Sequence, residues 1–270
     1  MIKIKKLINK YIFHFIILRK IRSIFFKINR KPLFILGNPK SGTTIIGKLI
    51  SKASNKSHTS DIRSVIKNSS EKLDLGLINI NTFINSHKYE FSKEIIKEPS
   101  LSFYAEELIN EYPNSKFIWI IRNPLQNIRS ILNRLKIDGN HHKIKFEDYD
   151  EINKNPAWKY NLEFRKNNKK FFYIEALAYR WNFLANLYFK NKDKIQLVKY
   201  EDFIINKKKY INNLLNTIQI NKEKDIDEMV DTQFQPKGNS NIDINKFFGK
   251  KNKELILKIC EKNMKKLNYL

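Results

Sequence analysis

PLFILGNPKSGTTIIG, Pro32 to Gly47, decides how the rest of the chain is read. Leu33 to Leu36 is a short apolar run carrying Phe and Ile, the pattern of a buried strand, and it breaks at Gly37, Asn38 and Pro39. Thr43 to Ile50 reads as the opening of a helix. A strand, a tight glycine turn and a helix start in succession make an anion cradle, because free backbone N–H groups and the positive end of the helix converge on one point. A phosphate-like group is its natural occupant.

Gly37 and Gly42 have the spacing of a nucleoside triphosphatase loop, and Thr44 stands where that loop places its metal-holding hydroxyl. The lysine such a loop needs at the β- and γ-phosphates is replaced by Thr43, and the cation lies earlier, at Lys40, inside the turn. PKSGTT, Pro39 to Thr44, resembles the 5′-phosphosulfate loop of the sulfotransferases that use 3′-phosphoadenosine 5′-phosphosulfate (PAPS). The resemblance implies a P-loop NTPase-like three-layer α/β domain with a mostly parallel central sheet flanked by helices. It also implies PAPS as co-substrate without a divalent metal. Lys40 would neutralise the leaving oxygen, while Ser41, Gly42, Thr43 and Thr44 hold the 5′-phosphate.

A second strand, turn and helix run through FIWIIRNPLQNIRS, Phe117 to Ser130. Phe117 to Ile121 is the strongest buried-strand signal in the chain. Asn123 followed by Pro124 predicts a capped helix with Ile128, Ile131, Leu132 and Leu135 on one side, ending near Gly139. In parallel sheets ligands gather beyond the carboxyl ends of strands, which places Arg122 on the same side as the cradle. Arg122 followed eight residues later by Ser130 resembles the sulfotransferase element that grips the donor's 3′-phosphate. The planar guanidinium fork suits that task. VKYEDF, Val198 to Phe203, is similar to the family segment whose tyrosine, here Tyr200, lies against the adenine. Lys237 and Gly238 resemble its late basic-glycine loop at the 3′-phosphate.

Sulfuryl transfer also needs a base for the acceptor's proton. The resemblance points to Asp61, the first acidic residue of the chain, in the loop after the cradle helix; His58 is the alternative. IIKEP, Ile95 to Pro99, resembles the strand whose lysine, here Lys97, reaches the transferring group. Strand side chains alternate, so Lys97 and Glu98 face opposite ways, and Lys97 is the one assigned to the site.

With 270 residues, 41% of them hydrophobic, the chain is long enough for one core with appended pieces. A single cysteine, Cys260, excludes an internal disulfide framework and fits a reducing, cytoplasmic setting. The net charge is +25. By itself that suggests nucleic acid or an anionic membrane, but no nucleic-acid motif accompanies it. Residues 1–31 carry Ile4, Leu7, Ile8, Tyr11, Phe15, Leu18 and Phe25 at helical steps among lysines and arginines. Their longest uncharged stretch falls far short of the roughly 20 residues that span a bilayer. This basic amphipathic segment either lies on an anionic membrane surface or packs on the domain formed by residues 32–270.

Further along, Ser51 to Ser60 reads as polar loop, Glu94 to Lys97 as a strand, and Ser100 or Ser102 as the cap of a helix reaching Glu111. Residues 138–171 read as an insertion over the site. A helix over Phe172 to Phe189, a strand at Ile195 to Tyr200, helices at Lys208 to Ile218 and Glu223 to Val230, and a terminal helix at Lys253 to Leu267 follow. Alternating strands and helices imply a mostly parallel sheet covered on both faces. The reading is a sulfotransferase acting on a hydroxyl or amine of a carbohydrate, lipid or small-molecule acceptor. Its rivals are a P-loop kinase or NTPase and a non-enzymatic basic binding module.

Overall fold

Leu33–Gly37 forms the strand β1, every residue of it buried, as a strand covered by helices on both sides must be. The computed structural model describes residues 21, 25–62, 78–141, 171–234 and 243–270. Most of the basic segment 1–31, the expected insertion from 142 to 170, and the loop containing Lys237 and Gly238 lie outside the described residues. The chain continues through α1 (Thr43–Ser54), β2 (His58–Thr59), α2 (Ile80–Ser86), α3 (Lys88–Phe91) and β3 (Ile95–Lys97). A 3-10 turn over Pro99–Tyr104 leads to α4 (Ala105–Glu111), β4 (Lys116–Ile121) and α5 (Pro124–Leu135). Then come α6 (Tyr173–Lys190), β5 (Gln196–Lys199), α7 (Tyr200–Ile205), α8 (Lys207–Thr217), α9 (Asp227–Val230) and α10 (Ile244–Lys266).

The sheet order is β2-β3-β1-β4-β5, and every pairing is parallel. Strand alternation splits the apolar residues between two layers. Phe34, Leu36, Ile96, Phe117, Trp119 and Ile121 pack with α4, α5, α6 and α10, whereas Leu33, Ile35, Ile95, Ile118, Ile120 and Val198 pack with α1, α7 and α8. This is the three-layer P-loop NTPase-like fold. The chain leaves β1 toward β3 on one side and returns to β4 on the other, so a crevice opens beyond the carboxyl end of β1.

Several local expectations are corrected. Ser51 to Ser60 is not loop throughout: α1 runs to Ser54 and stops at Asn55 in the left-handed region (φ 54), and His58–Thr59 pairs with Ile95 and Ile96 as an edge strand. A two-residue strand has no periodicity to read. Neither Ser100 nor Ser102 caps α4. Glu98 caps the 3-10 turn before it, and the buried Ser102 hydroxyl accepts from Gly37 N (2.8 Å) and faces the Gly37 carbonyl (3.2 Å). The helix after Asn123 stops at Leu135 rather than near Gly139, because Lys136 turns left-handed (φ 58) and caps it. The predicted helix over 223–230 shrinks to Asp227–Val230. The terminal helix starts earlier than Lys253, at Ile244 behind an Asp243 cap, with Gly249 (φ 66, ψ 168) breaking its regularity.

Gly37 shows how closely the strands approach. Its φ is 140, and a Cβ there would collide with the Ile120 carbonyl oxygen of β4. Gly37→Ala is expected to destabilise the protein by about 2–3 kcal/mol through strain and overpacking. Urea denaturation should show a lowered midpoint at unchanged slope; an unmoved midpoint would disprove this.

Candidate functional site

The carboxyl ends of adjacent parallel strands deliver the chemistry to one crevice. β1 ends at Gly37 and runs into the turn holding Lys40; β4 ends at Ile121, just before Arg122; β3 ends at Lys97; β5 ends just before Tyr200. The α1 N-terminus lies directly behind the turn. Gly42 is its N-cap (φ 99), no side chain caps it, and its first turn has no acidic residue.

Arg122 and Lys40, distant in sequence, meet here: Arg122 Nη1 donates to the Lys40 carbonyl at 3.2 Å. The Arg122 guanidinium lies 4.6 Å from the centre of the Tyr200 ring, and that ring also covers Gly42, where any Cβ would run into it. Tyr200 therefore closes one wall of the cradle. Trp181 Nε1 donates to the Arg122 carbonyl at 2.9 Å. Glu201 accepts from Asn123 N (2.9 Å) and from Tyr269 Oη (2.8 Å), fixing the backbone beside Arg122 to the chain's C-terminal residues.

Lys40 has φ 66, a left-handed conformation that non-glycine residues rarely adopt. Burial, followed by the Arg134 and Arg122 charges, pulls its ammonium below the usual lysine range. Arg122 is likewise lowered, chiefly by burial. These desolvated like charges favour an anion between them. Ser41 and Thr43 are buried, Thr44 is half-buried, and Ser130 lies half-buried on α5.

The turn is pinned from behind by groups that sequence reasoning missed. Asn127, fully buried on α5, donates to the Pro39 carbonyl (2.9 Å) and to Ser41 Oγ (3.0 Å). Its own oxygen accepts from Asn38 Nδ2 at 2.7 Å, and Asn38 Oδ1 accepts from Arg180 Nε at 3.0 Å. An asparagine on the apolar side of a helix, one turn after its cap, was the available signal.

A second cluster flanks the cradle. Lys97, 2% exposed, donates to Asp61 Oδ1 at 2.5 Å, while Asp61 is 55% exposed. Glu98, the residue after β3, holds the same corner: it accepts from Ile62 N at 2.7 Å as well as from Ser100 N and Oγ. Burial, with Asp61 adding to it, raises the Glu98 carboxyl above its ordinary range. His58 is held below its ordinary value by burial and by Lys48 and Lys97, and its buried Nε2 has no hydrogen-bond partner among the described residues. The His58 imidazole thus borders the Lys97–Asp61 pair. Among the described residues no group of three or more His, Cys, Asp or Glu is placed to hold a metal, and no helix is long and apolar enough to cross a membrane.

No curated protein matches the chain significantly. Among solved structures it is similar to the sulfotransferase domain from the curacin biosynthetic pathway, with 12% identity, 89% of this chain and 98% of that one covered, and a TM-score of 0.49. It is similar to a sulfotransferase from Alicyclobacillus acidocaldarius, with 14% identity, coverage of 87% and 97%, and a TM-score of 0.44. A sulfotransferase from Mycobacterium avium gives 12% identity, coverage of 94% and 80%, and a TM-score of 0.49. The model of the sulfotransferase family matches residues 63–224, a span that contains Lys97, Arg122, Ser130 and Tyr200 and starts just after the cradle and Asp61. With more than half its length matched in this way, the chain belongs to the sulfotransferase family.

Proposed function

We propose that the protein transfers the sulfuryl group of PAPS to a hydroxyl or amine of a carbohydrate, lipid or small-molecule acceptor. The observation that carries this reading is the meeting of Arg122 with the Lys40 turn, which allows one nucleotide with phosphates at both ends of its ribose to reach both motifs. In this reading the backbone N–H groups of Ser41 to Thr44 hold the 5′-phosphate, Arg122 and Ser130 take the 3′-phosphate, and Tyr200 lines the nucleotide side. Lys237 and Gly238 are assigned to the 3′-phosphate by family resemblance.

The acceptor oxygen attacks sulfur in line as the bond from sulfur to the bridging phosphate oxygen breaks. Lys40 stabilises the negative charge that collects on that oxygen. Asp61 receives the acceptor's proton. Lys97, bound to Asp61 Oδ1, holds the carboxylate in place beside the crevice. The products are the sulfated acceptor, adenosine 3′,5′-bisphosphate and a protonated carboxyl that returns its proton to solvent.

A kinase or NTPase would require lysine at Thr43 and an acidic metal ligand at the end of β4, where this chain has Arg122. Titration calorimetry separates the two. Adenosine 3′,5′-bisphosphate should bind about tenfold or more tightly than ATP with magnesium, and the reverse order would remove the sulfotransferase assignment.

A further inference from the structure

Three side chains from distant parts of the chain form a one-way relay behind the cradle: Arg180 of α6, Asn38 of the turn and Asn127 of α5. Arginine nitrogens can only donate. Arg180 Nε therefore requires an oxygen facing it, and Asn38 presents Oδ1 there. That leaves the Asn38 amide nitrogen toward Asn127, which must answer with its own oxygen. The Asn127 amide nitrogen then faces the turn and gives its two hydrogens to the Pro39 carbonyl and Ser41 Oγ. Neither asparagine can flip without placing two donors or two acceptors against each other. All three residues are almost wholly buried, at 4% exposure for Asn38, 0% for Asn127 and 3% for Arg180, so water does not compensate a wrong orientation.

Pro39 and Ser41 are the residues on either side of Lys40. A single amide group thus braces both flanks of the one non-glycine residue in the turn with a left-handed backbone. It also fixes the sense of the Ser41 hydroxyl. With Oγ accepting from Asn127, the Ser41 hydroxyl keeps its hydrogen for another acceptor.

We propose that Asn127 is a positioning residue for sulfuryl-donor binding: oriented through Asn38 by Arg180, it holds the Lys40 turn in its strained shape and sets Ser41 as a donor to the donor nucleotide's 5′-phosphate. This rests on the PAPS reading of the cradle. Asn127→Asp is nearly isosteric and replaces both donated hydrogens with an acceptor. By calorimetry its affinity for adenosine 3′,5′-bisphosphate should fall about 10- to 100-fold, while affinity for adenosine 3′-monophosphate stays within about twofold. A general loss of structure would weaken both ligands together, so equal losses, or no loss, would overturn the role. Asn38→Ala leaves Asn127 in place but unoriented and should show the same selective loss in smaller measure, which keeps the idea testable if the aspartate variant does not fold. Hydrogen exchange supplies a readout without nucleotide. Amides of residues 38 and 40–42 should exchange about tenfold faster in either variant, and unchanged exchange would also overturn the role. Should the unaltered protein bind neither nucleotide while the exchange effect appears, the co-substrate assignment fails and the bracing of the turn stands.

Discussion

Lys40→Ala is expected to lower the rate of sulfuryl transfer from labelled PAPS by about a thousandfold, equivalent to about 4 kcal/mol of transition-state stabilisation. The size follows from where the ammonium sits. It lies in the turn between β1 and α1, partly desolvated, with Arg122 and Arg134 close enough to depress its pKa. An ion in such surroundings interacts with a developing negative charge more strongly than one in water does. Because that charge exists in full only as the sulfur–oxygen bond breaks, the loss should fall mainly on turnover and less on nucleotide affinity.

The same substitution removes a cation from beside two others, and alanine adopts the left-handed backbone of position 40 no less readily than lysine. Thermal stability should therefore hold or rise slightly while activity collapses, the trade expected of a group kept for chemistry at some cost to the fold. A fall in transfer accompanied by an equal fall in stability, or transfer within about tenfold of the original, would remove Lys40 from the catalytic role.

Position 40 also shows how far the sequence could be read. The strand, turn and helix around it are local features, and each announces itself: an apolar run for β1, glycines for the bend, apolar residues at helical spacing for α1. Asn123 and Pro124 likewise signal the start of α5, and the Asn123 side chain does accept from Leu125 N at 3.0 Å. Alternating strands and helices announce a parallel sheet, but the order β2-β3-β1-β4-β5 is set by how the layers pack and is not written in the local pattern. The Asn38–Asn127–Arg180 relay is different in kind, because its members are brought together only by the packing of α5 and α6 over the sheet. A buried asparagine in a helix looks like any other polar residue until its partners are known. Glu98, just beyond the end of β3, holds the Asp61 corner through the backbone of Ile62. Backbone partners of that sort leave no mark in residue type.

Arg122→Ala should weaken binding of adenosine 3′,5′-bisphosphate by about 100-fold, the upper range for deleting a charge-assisted, bidentate contact. Two features make the arginine hard to replace. Its half-buried guanidinium lies 4.6 Å from the centre of the Tyr200 ring, and one of its nitrogens already holds the Lys40 carbonyl. Arg122→Lys keeps the charge but loses both the stacking and the fork, so it should recover only part of the affinity. The pattern across ligands should mirror that of Asn127→Asp. Loss at Arg122 should be larger for nucleotides carrying a 3′-phosphate than for adenosine 5′-monophosphate, whereas loss at Asn127 requires the 5′-phosphate. The Arg122 bond to the turn predicts some spread to the 5′ side, so the contrast is one of degree. If Arg122→Ala weakened the 5′-monophosphate as much as the bisphosphate, its guanidinium would be a brace for the turn alone. The two strand ends would then not divide one nucleotide between them.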